Sequence, residues 1–494
     1  MPKFTYEEIC KATGGRIVNF DGSATKLSVC CVESISTDTR TIEKGALFIA
    51  LKGERFNGHR FCQAAADKGA TLFLVSEHLS MPASIPFILV ADTTVALGDI
   101  ARFYRRRLGC KVIGVTGSVG KTSTRRMIES VFEKSMKTYA TVANNNNEIG
   151  LPLTILSAPE DVELIILEMG MRLKGEISYL THIALPDIAV ISHVGVAHIE
   201  RLGSKKAILE AKLEICEGLI NEKMLVINGD DTMLTEYLFQ FRHRSWSQLG
   251  VAVTNASEEN EILAALSANE SVKLCSVNYL EDGTDFTVDY RSSKDNQSLR
   301  CRLNVVGQHQ VKNALLAILC AMHLQIPAAS IIDGLARLSV LDGRGKLIKM
   351  DQYSIYDDAY NAGPESMTAS FESLKQWAPN ARRVAAIGGM LELGDYAEAF
   401  HYESGVAAAK SGLSLIVVCG PNKNAFLNGI LSVSEGIEVI LCEEKMDVLN
   451  VLADSLKPGD ALLIKASHSF GFDTLAKELV DKLNEKNAES EAGE

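Results

Sequence analysis

The chain of 494 residues has no Cys-x-x-Cys pair, and its 11 cysteines follow no framework spacing. That excludes a disulfide scaffold and a zinc knuckle and suits reduced thiols in a cytosolic protein. Positive charge is not in excess. Fifty Lys and Arg stand against 62 Asp and Glu, a formal net charge of −12, which argues against non-specific nucleic-acid binding and against an anionic membrane surface. A phosphorylated substrate stays open, because local basic clusters can sit within an acidic whole. No apolar run reaches the roughly 18 residues of a membrane helix. The N-terminus, Met-Pro-Lys-Phe-Thr-Tyr-Glu-Glu, lacks a charged-then-apolar signal pattern. No short-period repeat is visible. What is left is an ordinary globular composition, 47% hydrophobic, on a chain long enough for roughly two to four domains.

The most informative stretch is Gly114 to Thr124, Gly-Val-Thr-Gly-Ser-Val-Gly-Lys-Thr-Ser-Thr. Val112 and Ile113 lead in as the end of a buried strand, and a helix is expected after Gly120. Strand, glycine loop with lysine, and helix N-terminus together cradle phosphate. Backbone N–H groups and the helix dipole face the anion, Lys121 reaches the outer phosphates, and the Thr122 hydroxyl can ligate magnesium. The general phosphate-loop pattern wants Gly at position 115, where this chain has Val115.

Three blocks are expected. The first, residues 1–107, holds short strands at 46–50 and 71–75 and helical patterns at 59–68 and 96–107, the latter with a basic end. The second, 108–338, has strand candidates at 112–116, 163–168, 187–193 and 223–227 alternating with helices, the pattern of a parallel sheet covered on both faces. Alternating segments in 272–305 read as antiparallel strands added at one edge, and helices near 309–324 and 328–338 finish the domain. The third, 339–494, repeats strand-then-helix at 353–357, 383–388, 414–419, 437–441 and 461–465, a smaller Rossmann-like domain. The polar, acidic tail from Asn484 to Glu494 reads as disordered.

Several side chains invite chemistry. Glu168 ends an apolar strand, Leu164-Ile165-Ile166-Leu167, where open α/β sheets place ligands. It is either a hard oxygen ligand for magnesium or a strand-capping acid. His198 follows the next strand and a glycine turn, so it can face the same crevice. On a helix, Lys212 would share a face with Ile208 and Ile215; it either snorkels or reaches the site. Asn144 to Asn147 with Glu148, Ile149 and Gly150 is either a polar loop with an asparagine cap or a set of amides for a polar ligand.

In this order the loop Thr116–Thr122, the Asn-Asn-Glu-Ile-Gly run, Glu168-Met169-Gly170, Gly195-Val196-Ala197-His198 and Met390-Leu391-Glu392-Leu393-Gly394 resemble the Mur ligase family over nearly the whole chain. The resemblance implies an α/β protein of three domains. These are a small N-terminal domain that binds UDP, a central P-loop-type parallel-sheet ATPase domain with antiparallel edge strands, and a C-terminal Rossmann-like ligase domain. It implies the family's ATP-dependent addition of D-alanyl-D-alanine to UDP-N-acetylmuramoyl-tripeptide, with Mg2+, in a cytoplasmic monomer that neither binds nucleic acid nor inserts in a membrane.

Carried over by position, Gly117, Ser118, Val119, Gly120, Lys121, Thr122 and Ser123 would hold the phosphates. Thr122, Glu168, His198 and a carbamylated Lys212 would hold two magnesium ions. Asn313 would contact adenine, with His309 beside it. Arg344, at a hinge near Leu341, would meet ATP together with Asp358 and Tyr360. Thr37, Asp38, Thr39, Arg40, Lys52, Asn57 and His59 would hold the uridine-diphosphate end. Asn146, Asn147, Glu148, Lys465 and Ser467 would serve the peptide substrates. The chain departs from the family at Asn57 (often Asp), Gln310 and Gly363 (Asn), Gly389 (acidic), Ala466 (Gly) and His468 (Arg). His468 gives up a permanent bidentate cation. The rival readings are a family ligase with another acceptor, including a folylpolyglutamate synthase-like enzyme, a P-loop NTPase switch, and a binding protein that has lost turnover.

Overall fold

A computed structural model describes residues 3–493 apart from 21–23, 54–55, 79–84, 220–222, 241–246, 255–265 and 340–342. Leu341, the expected hinge, lies outside the described residues, and so does Glu494.

Nine strands form the central sheet. Lys111–Thr116 lies between Leu164–Glu168 on one side and Ile188–Ile191 on the other, all parallel. Thr138–Ala140 pairs outside Leu164–Glu168, and Met224–Asn228 and Gln248–Val253 continue the other flank. These strands are near-continuous apolar runs because helices cover both faces; Val112, Ile113, Val115, Ile165, Ile166 and Val190 are fully buried. Each such side chain contributes roughly 1.5–3 kcal/mol relative to exposure. The sequence reading placed four of the parallel strands and missed Thr138–Ala140 and Gln248–Val253. Glu270–Leu280 joins Gln248–Val253 parallel, and Gly283–Ser292 and Asn296–Leu303 then add the expected antiparallel edge.

The order of strands sets the site. The chain leaves Lys111–Thr116 for one flank and later crosses to the other at Ile188–Ile191. The crevice beyond the carboxyl ends of these strands is the topological switch point where such sheets bind ligands.

The N-terminal five-stranded sheet runs Arg16–Val18, Phe87–Leu89, Leu72–Val75, Ala46–Ile49, Ser34–Ser36, parallel except at Arg16–Val18. Helix Thr93–Leu108, capped by Asp92 and ended by Gly109 at φ 63°, leads from it to the central sheet. Its basic end stays away from the phosphate loop: Arg105 donates to the Ala184 and Leu185 carbonyls and pairs with Asp187. The third sheet is parallel from Ser354–Asp357 to Glu438–Cys442, with Lys346–Lys349 added antiparallel.

The tail expected to be disordered instead continues the last helix, Leu475–Gly493. Leu475, Leu479 and Leu483 anchor its start, Lys486 bonds Ala453 O and Asp454, and the Ala and Glu that follow are good helix formers. Among the described residues no helix is long and apolar enough to cross a membrane.

Candidate active site

One cleft of about 1210 Å³ opens at the switch point, between the central and third domains. Residues 118–123 of the loop form its floor. Gly120, at φ 84°, is the left-handed residue from which helix Lys121–Phe132 starts. Its missing side chain is required twice over: a Cβ there would also stand 2.6 Å from Asn313 Oδ1. Asn313, on helix Gln308–His323, accepts from Thr124 Oγ1 at 3.2 Å. Gly117 has φ 154°, and a Cβ there would collide with Ser192 Oγ. Lys121 Nζ donates to the Gly117 and Ser118 carbonyls at 2.8 and 3.3 Å. Burial depresses the Lys121 pKa, and Arg344 adds to this against the pull of Glu168. A lysine short of negative charge beside a helix N-terminus is a strong anion site.

Glu168 is buried. Its Oε1 accepts from Asn146 Nδ2 at 2.9 Å. Oε2 has no hydrogen-bond partner; Arg125 Nε, itself unpartnered, lies 3.9 Å away. An unpartnered carboxylate oxygen in a buried cleft suits a hard cation. Among the described residues no group of three or more His, Cys, Asp or Glu is arranged around a metal position. The expected set has only two such residues, Glu168 and His198, beside Thr122 and Lys212. That fits magnesium, which keeps several waters and takes substrate phosphates as ligands.

His198 sits in the left-handed region at φ 66°. Its Nδ1 is 2.6 Å from Glu392 Oε2, within ion-pair distance. Burial lowers the His198 pKa; Lys121 and Lys212 add to this, and Glu392 opposes it. Lys212 closes helix Lys205–Leu213 almost entirely buried. Burial first, then Lys121, drives its pKa well below the usual lysine value. It therefore does not snorkel; it lines the cleft.

The asparagine run caps a helix and holds a carboxylate. Asn147 Oδ1 caps the helix Gly150–Ser157 through the Ile149 and Gly150 N–H groups, while Asn146 orients Glu168. Glu148 lines the cleft and is exposed.

From the third domain, Lys465 Nζ is buried against Asp358 Oδ2 at 2.6 Å, and Ser467 Oγ donates to Ala362 O. Arg344 stacks over the Tyr360 ring at 3.8 Å, and His468 stacks near the same ring at 5.6 Å. His309, beside Ser373, has its pKa lowered to about 4, chiefly by burial.

The expected uridine-diphosphate residues lie outside this cleft, at the carboxyl ends of the N-terminal strands. Asp38 Oδ1 accepts the Arg40 N–H, and its carboxylate pairs with the Arg40 guanidinium. Thr39 O accepts from Lys68, and Thr37 precedes the turn. Lys52 pairs with Glu77. Asn57 accepts the His59 N–H, and His59 Nε2 accepts from Ser76 N. Ser36, the first residue of the same segment, meets the Asp38 backbone with its hydroxyl.

Other residues in or beside the cleft were missed from sequence. His193 Nδ1 lies 2.9 Å from buried Asp231. Arg125 stands beside Glu168, and its place four residues after Lys121, on the same helix face, was the available signal. Glu365 accepts the Val196 N–H.

Comparison with known proteins agrees with this geometry. Residues 115–321 match the Mur ligase middle domain, 343–468 the Mur ligase glutamate ligase domain, and 32–105 the Mur ligase family catalytic domain. The chain belongs to the Mur ligase family. The UDP-N-acetylmuramoyl-tripeptide–D-alanyl-D-alanine ligase of Bacillus subtilis is 35% identical over 97% of this chain and 99% of its own. Among solved structures, MurF from Acinetobacter baumannii superposes with a TM-score of 0.81 at 26% identity, covering 97% of this chain and 99% of that one. MurF ligase from Thermotoga maritima in complex with ADP superposes at 0.77 and 26% identity, covering 92% and 98%.

Proposed function

We propose that this chain is an ATP-dependent amide ligase that joins D-alanyl-D-alanine to UDP-N-acetylmuramoyl-tripeptide in cytoplasmic peptidoglycan precursor synthesis. The observation that carries this is the meeting, in one interdomain cleft, of the Lys121 loop, the half-partnered carboxylate of Glu168 and the buried amine of Lys212. The full-length similarity to ligases of that name supports the choice of substrates.

In this reading residues 118–123 and Lys121 bind the terminal phosphates of ATP. The tripeptide carboxylate attacks the γ-phosphorus, ADP leaves, and an acyl phosphate forms. The dipeptide amine attacks the acyl carbon, the C–O bond to phosphate breaks, and an amide and inorganic phosphate result. Catalysis is chiefly positioning and charge neutralisation. Thr122, Glu168, His198 and Lys212 would hold Mg2+, which supplies neutralisation of phosphate charge. Lys212 fits a carbamate: burial favours its unprotonated form, which would add CO2 and lose a proton to become an anionic oxygen donor. Asn313, Arg344, Asp358 and Tyr360 serve the nucleotide. Asn146, Asn147, Glu148, Lys465 and Ser467 line the peptide end. The Thr37–Arg40 turn, Lys52, Asn57 and His59 hold uridine diphosphate at the first domain. The enzyme acts as a monomer.

The test is phosphate release from ATP with UDP-muramoyl tripeptide and a panel of amines. Turnover with D-alanyl-D-alanine is expected. Turnover only with another amine would reassign the acceptor, and release that needs no amine would favour an NTPase switch.

A further inference from the structure

The turn that carries His198 is held from two sides. On one side, Ser118 of the phosphate loop donates its N–H to His193 O at 2.7 Å and its hydroxyl to Gly195 O at 3.1 Å. On the other side stands the third domain. Glu365, in the first turn of helix Pro364–Trp377, reaches across and accepts the Val196 N–H on Oε1 at 2.9 Å. Gly195 leaves room for it, since a Cβ there would stand 2.6 Å from Glu365 Cδ. The same domain grips the loop further along. Glu392 meets His198 at 2.6 Å, Gly394 packs against Glu200 so closely that a Cβ would lie 2.9 Å from its Cγ, and Tyr396 Oη donates to Gly203 O at 3.3 Å. Between these contacts His198 keeps a left-handed backbone, a conformation a non-glycine residue holds only where its surroundings over-determine it.

We propose that Glu365 is a positioning residue: by docking on Gly195–Val196 it presses the His198 turn against the phosphate loop, so the site is complete only when the third domain is seated. The proposal rests on the ligase reading for its kinetic consequence but not for the contact itself. Glu365 acts here as a hydrogen-bond acceptor to a backbone N–H, so its charge and basicity are not required. That separates it from a metal ligand or general base, for which a carboxylate is essential.

The experiment pairs amide hydrogen exchange at residues 193–203 with steady-state kinetics on Glu365→Ala, Glu365→Gln, Gly195→Ala and the double variant Glu365→Ala/Gly195→Ala. Thermal melts identify any variant that is not folded. Glu365→Ala is expected to speed exchange at the Val196 amide and to lower kcat by about 10–100-fold, the loss usual for a residue that orients a ligand-bearing group, with KM for ATP little changed. Glu365→Gln, which keeps an acceptor oxygen, restores both. Gly195→Ala is harmful alone because the methyl displaces Glu365, yet adds nothing to Glu365→Ala. Unchanged exchange at Val196 in Glu365→Ala overturns the proposal, and so does a Gln variant as poor as Ala. If the wild-type protein turned over no acceptor, the ligase reading would fall and the exchange arm would still decide the contact.

Discussion

Asn146 Nδ2 donates to Glu168 Oε1 at 2.9 Å, and this one bond decides which oxygen of the carboxylate is left for the cleft. Oε2 takes no hydrogen bond and has only Arg125 Nε at 3.9 Å. The neighbouring Asn147 instead spends its side chain on helix Gly150–Ser157. Two adjacent, identical residues therefore have separable roles. Asn146→Ala is expected to lower kcat by about 10–100-fold with a nearly unchanged Tm. Asn147→Ala should cost about 1 kcal/mol of stability, the usual loss of a helix cap, with kcat largely kept. Paired melts and phosphate-release kinetics check both; the reverse pattern would reject the assignment.

The buried amine of Lys212 is the clearest case of stability given up at a site. Its folded pKa lies well below its unfolded one because burial disfavours the cation and Lys121 repels it. Between those two values the unfolded chain binds more protons, so stability rises with pH toward the unfolded value and is lowest near and below the folded one. Lys212→Met removes the buried amine. It should raise Tm by roughly 2–4 °C, the shift about 1 kcal/mol makes in a domain of this size, and abolish turnover. A destabilised Met variant would mean that Lys212 has a stabilising partner in solution.

How much of this was readable from the chain depends on how local the cause was. The phosphate loop was legible because Gly117, Gly120 and Lys121 act through their own backbone and a helix that starts beside them. The parallel strands were legible as apolar runs. Thr138–Ala140 and Gln248–Val253 were not, being short or interrupted by glycine. Glu168 and Lys212 drew attention as polar residues in apolar settings. Glu365 and His193 did not, because their partners lie in another domain or beyond another strand, and no spacing encodes those contacts; Arg125 was signalled only by its spacing from Lys121. The tail was misread because its polarity said disorder while the anchor at Leu475, Leu479 and Leu483 lay just upstream.

Tyr360 is covered on one face by Arg344 at 3.8 Å and neighboured by His468 at 5.6 Å. The ring, not the hydroxyl, makes both contacts. Tyr360→Phe should keep ATP affinity within about twofold, while Tyr360→Ala releases Arg344 and should raise KM for ATP several-fold, in keeping with a cation–π contact of about 0.5–2 kcal/mol. Equal losses in Phe and Ala would instead place the hydroxyl on the substrate.

His309 supplies a pH signature of the folded state. It opens the helix that carries Asn313, and burial lowers its pKa from 6.5 to about 4, with Asp358 opposing and Lys465 and Lys312 reinforcing. The unfolded chain protonates its histidine near 6.5, whereas the folded one stays neutral until about 4. Across that window the unfolded state binds the extra proton, so stability is greatest above 6.5 and falls as pH drops toward 4, levelling off below it. The loss is at most about 3 kcal/mol, and less in practice because the side chain is only part-buried. His309→Phe removes the titration and should flatten the stability profile between pH 4 and 6.5, read by denaturant unfolding at a series of pH values. A His309→Phe profile parallel to wild type would assign the acid sensitivity to other groups.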